Sequence, residues 1–101
     1  MDSSLERWNG KVCLVTGATS GIGRATAIRL SEIGMRLAVS GRRAERLDEL
    51  REILKGNGAE VLLLPGDQTE VETNRNFFER VRQEWGGVDV LVNNAGTRCG
   101  C

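Results

Sequence analysis

The chain has 101 residues, enough for one small domain and no more. Apolar residues make up 40% and charged residues 28%, a globular balance too apolar for a disordered chain. Lys plus Arg and Asp plus Glu both number 14, and the zero net charge removes the general electrostatic case for nucleic acid or an anionic membrane surface.

No run approaches the roughly 20 apolar residues of a membrane span, and the polar start (residues 1–8) has no signal-peptide core. A cytoplasmic location is therefore expected. Residues 1–10 read as an N-terminal extension, residues 11–96 as the folded domain and residues 97–101 as a tail. Cys13 lies inside an apolar run and is expected to be a small buried hydrophobe. Cys99 and Cys101 sit in the tail, and three cysteines with no histidine do not complete a tetrahedral zinc site, so no metal is expected.

In chain order, residues 11–16 (K-V-C-L-V-T) form a short, β-rich apolar run, the pattern of a strand covered on both faces. Three glycines then interrupt residues 17–23. From Ile22 the spacing turns helical, with Ala25, Ile28 or Arg29, and Ile33 on one expected buried face and Gly34 as C-terminal cap. Residues 35–40 (M-R-L-A-V-S) predict a second strand. Residues 43–55 predict a helix with Leu47, Leu50 and Leu54 on one stripe, ending at Gly56-Asn57-Gly58.

Residues 59–64 predict a third strand, closed by Pro65-Gly66. Thr69 followed by Glu72 has capping-box spacing. The helix it opens points Val71, Phe77 or Phe78, Val81 and Trp85 inward and stops at Gly86-Gly87. Residues 88–92 (V-D-V-L-V) predict a fourth strand. The order β-α-β-α-β-α-β with short connections implies right-handed crossovers and a Rossmann-type, doubly wound parallel α/β sheet, cut off after about four strands.

The turn Thr16-Gly17-Ala18-Thr19-Ser20-Gly21-Ile22-Gly23 leaves the first strand and opens the first helix. A helix N-terminus has free N–H groups and a partial positive charge, and both favour a pyrophosphate. Gly17 suits the tight exit from the strand. Gly21 keeps no Cβ between backbone and phosphate, and Gly23 allows close helix–sheet packing. Thr19 and Ser20 add hydroxyls, with Ile22 beside them. The spacing G-x-x-x-G-x-G differs from G-x-G-x-x-G by one inserted residue, and it is not the G-x-x-x-x-G-K-[ST] of a P-loop.

At the end of the second strand an NAD site places a carboxylate on the ribose hydroxyls, whereas an NADP site uses Arg on the 2′-phosphate. Here the strand ends Ser40-Gly41-Arg42-Arg43, with Gly41 where the carboxylate belongs. Arg42 offers a planar fork to the phosphate, Arg43 further charge or adenine stacking, and Ser40 a hydroxyl. NADP(H) is expected in preference to NAD(H).

T-G-A-T-S-G-I-G at residues 16–23 and N-N-A-G at residues 93–96, each on its proper element, resemble the short-chain dehydrogenase/reductase family. The resemblance implies an NAD(P)-dependent oxidoreductase acting on a small alcohol or carbonyl. It implies that Asp67 meets the adenine amino group with the backbone of Gln68 beside it. It also implies that Asn94, Ala95 and Gly96 border the cofactor. The family's Tyr-x-x-x-Lys pair and its assisting Ser have no counterpart here: the chain has no tyrosine or histidine, and its lysines are Lys11 and Lys55. No catalytic residue is assigned, and the chain alone is expected to be inactive, the N-terminal part of a larger enzyme. The other readings are a non-catalytic nucleotide- or partner-binding module and, more remotely, a flavin-binding α/β domain. An unpaired fourth-strand edge would favour self-association.

Overall fold

The computed structural model describes residues 8–19, 21–66 and 71–93. The elements run β1 (Val12–Thr16), α1 (Gly21–Glu32), β2 (Arg36–Gly41), α2 (Ala44–Gly56), β3 (Val61–Pro65), α3 (Val71–Trp85) and β4 (Val90–Asn93). All strand pairings are parallel, and the lateral order is β3-β2-β1-β4. This is the Rossmann-type arrangement that the alternation of elements predicts.

The two faces follow from the order. Moving β1 to β2 to β3, the chain steps in one direction, and right-handed crossovers hold α1 and α2 on one face. From β3 to β4 it steps back past β1, and the same handedness sends α3 to the other face. One core layer accordingly joins Cys13, Val15, Leu37 and Val39 to Ala27 of α1 and Leu47, Leu50 and Leu54 of α2. The opposite layer joins Val12, Leu14, Ala38 and Leu64 to Phe77 and Val81 of α3. The leucine stripe of α2 is buried as its spacing predicts, each leucine contributing about 1.5–3 kcal/mol. On α3 the choice falls on Phe77, 4% exposed, over Phe78, 41% exposed.

The first helix departs from expectation. Its buried residues are Gly23, Ala27 and Ser31, spaced four apart, while Ala25 is exposed. Ile28 and Ile33 flank the stripe and are only partly buried. Small side chains let α1 lie close to β1 and β2, and such residues leave almost no mark in a hydrophobic pattern.

Helix ends set the strand starts. After α1 the Gly34 N–H donates to Ser31 O (3.2 Å) and the Met35 N–H to Leu30 O (3.3 Å), a Schellman closure with Gly34 at φ 89°. After α2 the Gly58 N–H donates to Lys55 O (2.9 Å) and the Ala59 N–H to Leu54 O (3.1 Å), with Gly58 at φ 91°. Met35 and Ala59 thus spend their N–H groups on caps, which is why β2 and β3 begin later than the apolar runs suggest. The two closures are tied together: Asn57 Nδ2 donates to Ser31 Oγ (2.8 Å), which donates to Ile28 O (2.6 Å). At β4 the Asp89 carboxylate accepts from the Val12 N–H (2.8 Å) and the Asp89 N–H donates to Val12 O (2.9 Å), fixing the register against β1. The Thr69 cap lies outside the described residues.

Two predictions follow from the packing. Ala27→Leu overfills the α1–sheet contact and should lose about 1–3 kcal/mol in denaturant unfolding, whereas Ala25→Leu should stay within about 0.5 kcal/mol of wild type. Equal effects would mean that α1 does not bury the Gly23–Ala27–Ser31 stripe. Burial pushes the Cys13 thiol up from 9.0 to about 11, against a smaller opposing pull from a Val92 backbone hydrogen bond. Because the folded state disfavours the thiolate, this contribution is complete below about pH 9 and is lost as pH rises towards 11. Peptide mapping after alkylation should find Cys13 unmodified in the native chain and modified once denaturant is added.

Candidate functional site

The order in which strands are added reverses between β1 and β4, and at such a switch point the strand ends leave a crevice that neither crossover covers. Thr16 closes β1 there and Asn93 closes β4. Thr16 is buried, and its Oγ1 donates to Asn93 Oδ1 (2.9 Å), with Val92 O at 3.5 Å. A side-chain tie therefore joins the two strand ends where the glycine turn departs.

In that turn Gly17 and Gly21 both take positive φ, 64° and 59°, which explains glycine at each. A Cβ built on Gly21 would meet nothing within 4 Å, so the first turn of α1 faces open space. Gly23 is buried against the sheet. Ile22, 75% exposed, stands uncovered at the mouth of the turn. Ala18 is buried, and its N–H donates to Ser40 O (2.8 Å), holding the turn against the end of β2.

At the end of β2 the backbone continues into Arg42 and Arg43, both exposed, Arg43 serving as N-cap residue of α2 without a side-chain cap. The Ser40 side chain is fully buried and its hydroxyl has no hydrogen-bond partner. Its carbonyl is what Ser40 gives the turn, through the Ala18 N–H. An open cleft of about 450 Å³ lies between the first turns of α1 and α2, lined by Thr19, Gly21, Arg24, Glu45, Arg46 and Glu49.

Arg24 and Arg46 escape a sequence reading because each looks like an ordinary helix-surface charge. Only the adjacency of β1 and β2 brings their helices' first turns together. The ion pairs fall elsewhere: Arg29 with Glu32, Arg36 with Glu60, Arg51 with Asp48, Arg75 with Glu72 and Arg82 with Glu79. Among the described residues Arg24, Arg42, Arg43 and Arg46 make no ion pair. Asn93 opens the N-N-A-G motif, whose family resemblance implies a turn that ties strands together; the structure adds its partner, Thr16.

Gly17, Thr19, Gly21, Ile22, Gly23, Ser40, Arg42 and Arg43 thus gather at the carboxyl ends of β1 and β2. Ser20, Asp67, Gln68, Asn94, Ala95 and Gly96 lie outside the described residues. Among the described residues no group of three His, Cys, Asp or Glu side chains is placed to hold a metal ion, and no helix is long and apolar enough to cross a membrane.

Known proteins share this arrangement. The family model described as short chain dehydrogenase matches residues 11–101. An uncharacterised oxidoreductase of Listeria monocytogenes is 40% identical over 86 residues, covering 85% of this chain and 35% of that protein. The crystal structure of L-sorbose reductase from Gluconobacter frateurii, complexed with NADPH and L-sorbose, superposes with a TM-score of 0.84 at 38% identity, covering 90% of this chain and 35% of that one. NAD+-bound xylitol dehydrogenase gives a TM-score of 0.84 at 39% identity, covering 89% of this chain and 35% of that one. The chain spans about a third of the length of these relatives.

The tie across the switch point is testable. Thr16→Val keeps shape and burial but deletes the donor to Asn93, and should lose about 0.5–1.5 kcal/mol in urea unfolding. An unchanged midpoint would show that the strand ends hold together without it.

Proposed function

The chain belongs to the short-chain dehydrogenase family, and from that we propose that it holds NADP(H) for an oxidoreductase acting on an alcohol or carbonyl. The observation that carries the cofactor choice is the end of β2: Gly41 stands where a ribose-binding carboxylate would sit, and Arg42 and Arg43 follow it exposed and without ion pairs. A guanidinium without an internal partner is available to a 2′-phosphate, and no acidic side chain stands between Ser40 and Glu45 to repel it. The neighbours alone do not choose, since one is titled with NADPH and another with NAD+ at equal TM-scores of 0.84. Charge at the strand end supports NADP(H).

The rest of the site fits a dinucleotide. The open space at Gly21, the positive-φ turn and the α1 N-terminus would take the pyrophosphate, with Ile22 exposed beside it. Bound there, a nicotinamide cofactor supplies the hydride. The chain's own residues bind and orient it. With no tyrosine or histidine among the 101 residues, we assign them no proton-transfer step and read them as catalytically inert by themselves. We also propose a cytoplasmic location, where a free, buried thiol such as that of Cys13 stays reduced. The same reading of the chain allows self-association along β4, an edge of the sheet on which Leu91 is 47% exposed.

Titration of the full chain with NADPH and NADH, followed by nicotinamide fluorescence at fixed salt, tests the choice. NADPH should bind the tighter of the two. Arg42→Ala should weaken NADPH about ten- to a hundredfold and NADH much less. Equal losses for both cofactors would remove Arg42 from the role, and failure of both to bind would overturn the reading.

A further inference from the structure

We infer that Thr19 is a second determinant of cofactor choice: its side chain fills the space that any side chain at position 41 needs, so Thr19 and Gly41 act as a pair. This deepens the NADP(H) reading and rests on it.

Gly41 is buried at the end of β2, and its φ is not among the positive values found for eight other glycines among the described residues. Backbone conformation therefore does not require glycine there. Space does. A Cβ at position 41 would lie 2.6 Å from Thr19 Cγ2, 3.3 Å from Thr19 Oγ1 and 3.5 Å from Thr19 Cβ. The first contact is far inside van der Waals range, and all three are to one residue.

Thr19 has little freedom to yield. Threonine carries two heavy atoms on Cβ, and the two positions facing residue 41 lie 2.6 and 3.3 Å from a Cβ there, so every staggered rotamer keeps a heavy atom at 3.3 Å or closer. The turn itself does not back away easily. Ala18, the preceding residue, is buried with its N–H bonded to Ser40 O at 2.8 Å, which fastens the turn to the strand end. A serine at position 19 can turn its single hydroxyl clear.

The consequence reaches the cofactor. A carboxylate at the end of β2 is the group that grips the ribose hydroxyls of NAD. With Thr19 in place, Gly41→Asp seats that carboxylate only with a Thr19 heavy atom 3.3 Å or closer to its Cβ, a contact that pushes on the turn facing the pyrophosphate. The substitution should then lose NADPH by charge repulsion without gaining NADH. Removing the Thr19 methyl restores the room.

The experiment is a double-mutant cycle on the full chain with two readouts. Without cofactor, Gly41→Ala adds only the Cβ and should lower the melting temperature by roughly 4–8 °C, and by less than half as much in a Thr19→Ser background. With cofactor, Gly41→Asp alone should weaken NADPH at least about tenfold while changing NADH less than about threefold, and Gly41→Asp with Thr19→Ser should bind NADH about tenfold tighter than Gly41→Asp alone. Additive melting shifts would overturn the steric pairing. Coupled melting shifts with an NADH affinity indifferent to residue 19 would overturn its role in cofactor choice. A wild-type chain that binds neither cofactor would overturn the NADP(H) reading first and this inference with it, whatever the melting data show.

Discussion

The structure hangs on β1. All five of its residues are buried, it pairs with β2 on one side and β4 on the other, and each face is covered by a different core layer. A strand enclosed on four sides admits no polar alternation, and so V-C-L-V-T is apolar up to its last residue. That last residue is polar because it emerges at the switch point. The chain must leave β1 where the order of strand addition reverses, and the glycine turn, the α1 N-terminus and the Asn93 end of β4 all converge there.

Three of the four glycines near the site serve different physical needs. Gly21 is required by its positive φ and has free space around it. Gly23 is buried and lets α1 approach the sheet along Gly23, Ala27 and Ser31. Gly41 has unexceptional φ and no room, because Thr19 lies over it. The same residue type thus marks an unusual conformation, a close helix contact and a filled corner. The corner bears most directly on which cofactor fits.

Charge is distributed with similar economy. The paired arginines lie on the outer faces of the helices and at the start of β2, where an exposed pair is worth about 0–1 kcal/mol. Of the five described arginines that make no ion pair, Arg80 lies on α3, and the other four, Arg24, Arg42, Arg43 and Arg46, stand around the carboxyl ends of β1 and β2. Zero net charge over the chain therefore coexists with a local supply of uncommitted guanidinium groups beside the glycine turn. In the cleft between α1 and α2 two arginines face Glu45 and Glu49, so its formal charge cancels, and selectivity for a phosphate falls to Arg42 and Arg43.

By itself the sequence determined the order of elements, the parallel sheet, the leucine face of α2, the burial of Cys13 and the glycine turn at the head of α1. Each is a local signal: apolar periodicity, a capping glycine, or a motif within a few residues. Tertiary structure decided what depends on neighbours distant in the chain. Ala27 rather than Ala25 is buried because the helix seats itself by shape, and small residues have no hydrophobic signature. Asn93 meets Thr16 because β4 pairs with β1, and Arg24 and Arg46 share a cleft because β1 lies beside β2. Thr19 covers Gly41 for the same reason. Lateral strand order is a property of crossover handedness and direction, and no single stretch of the chain carries it.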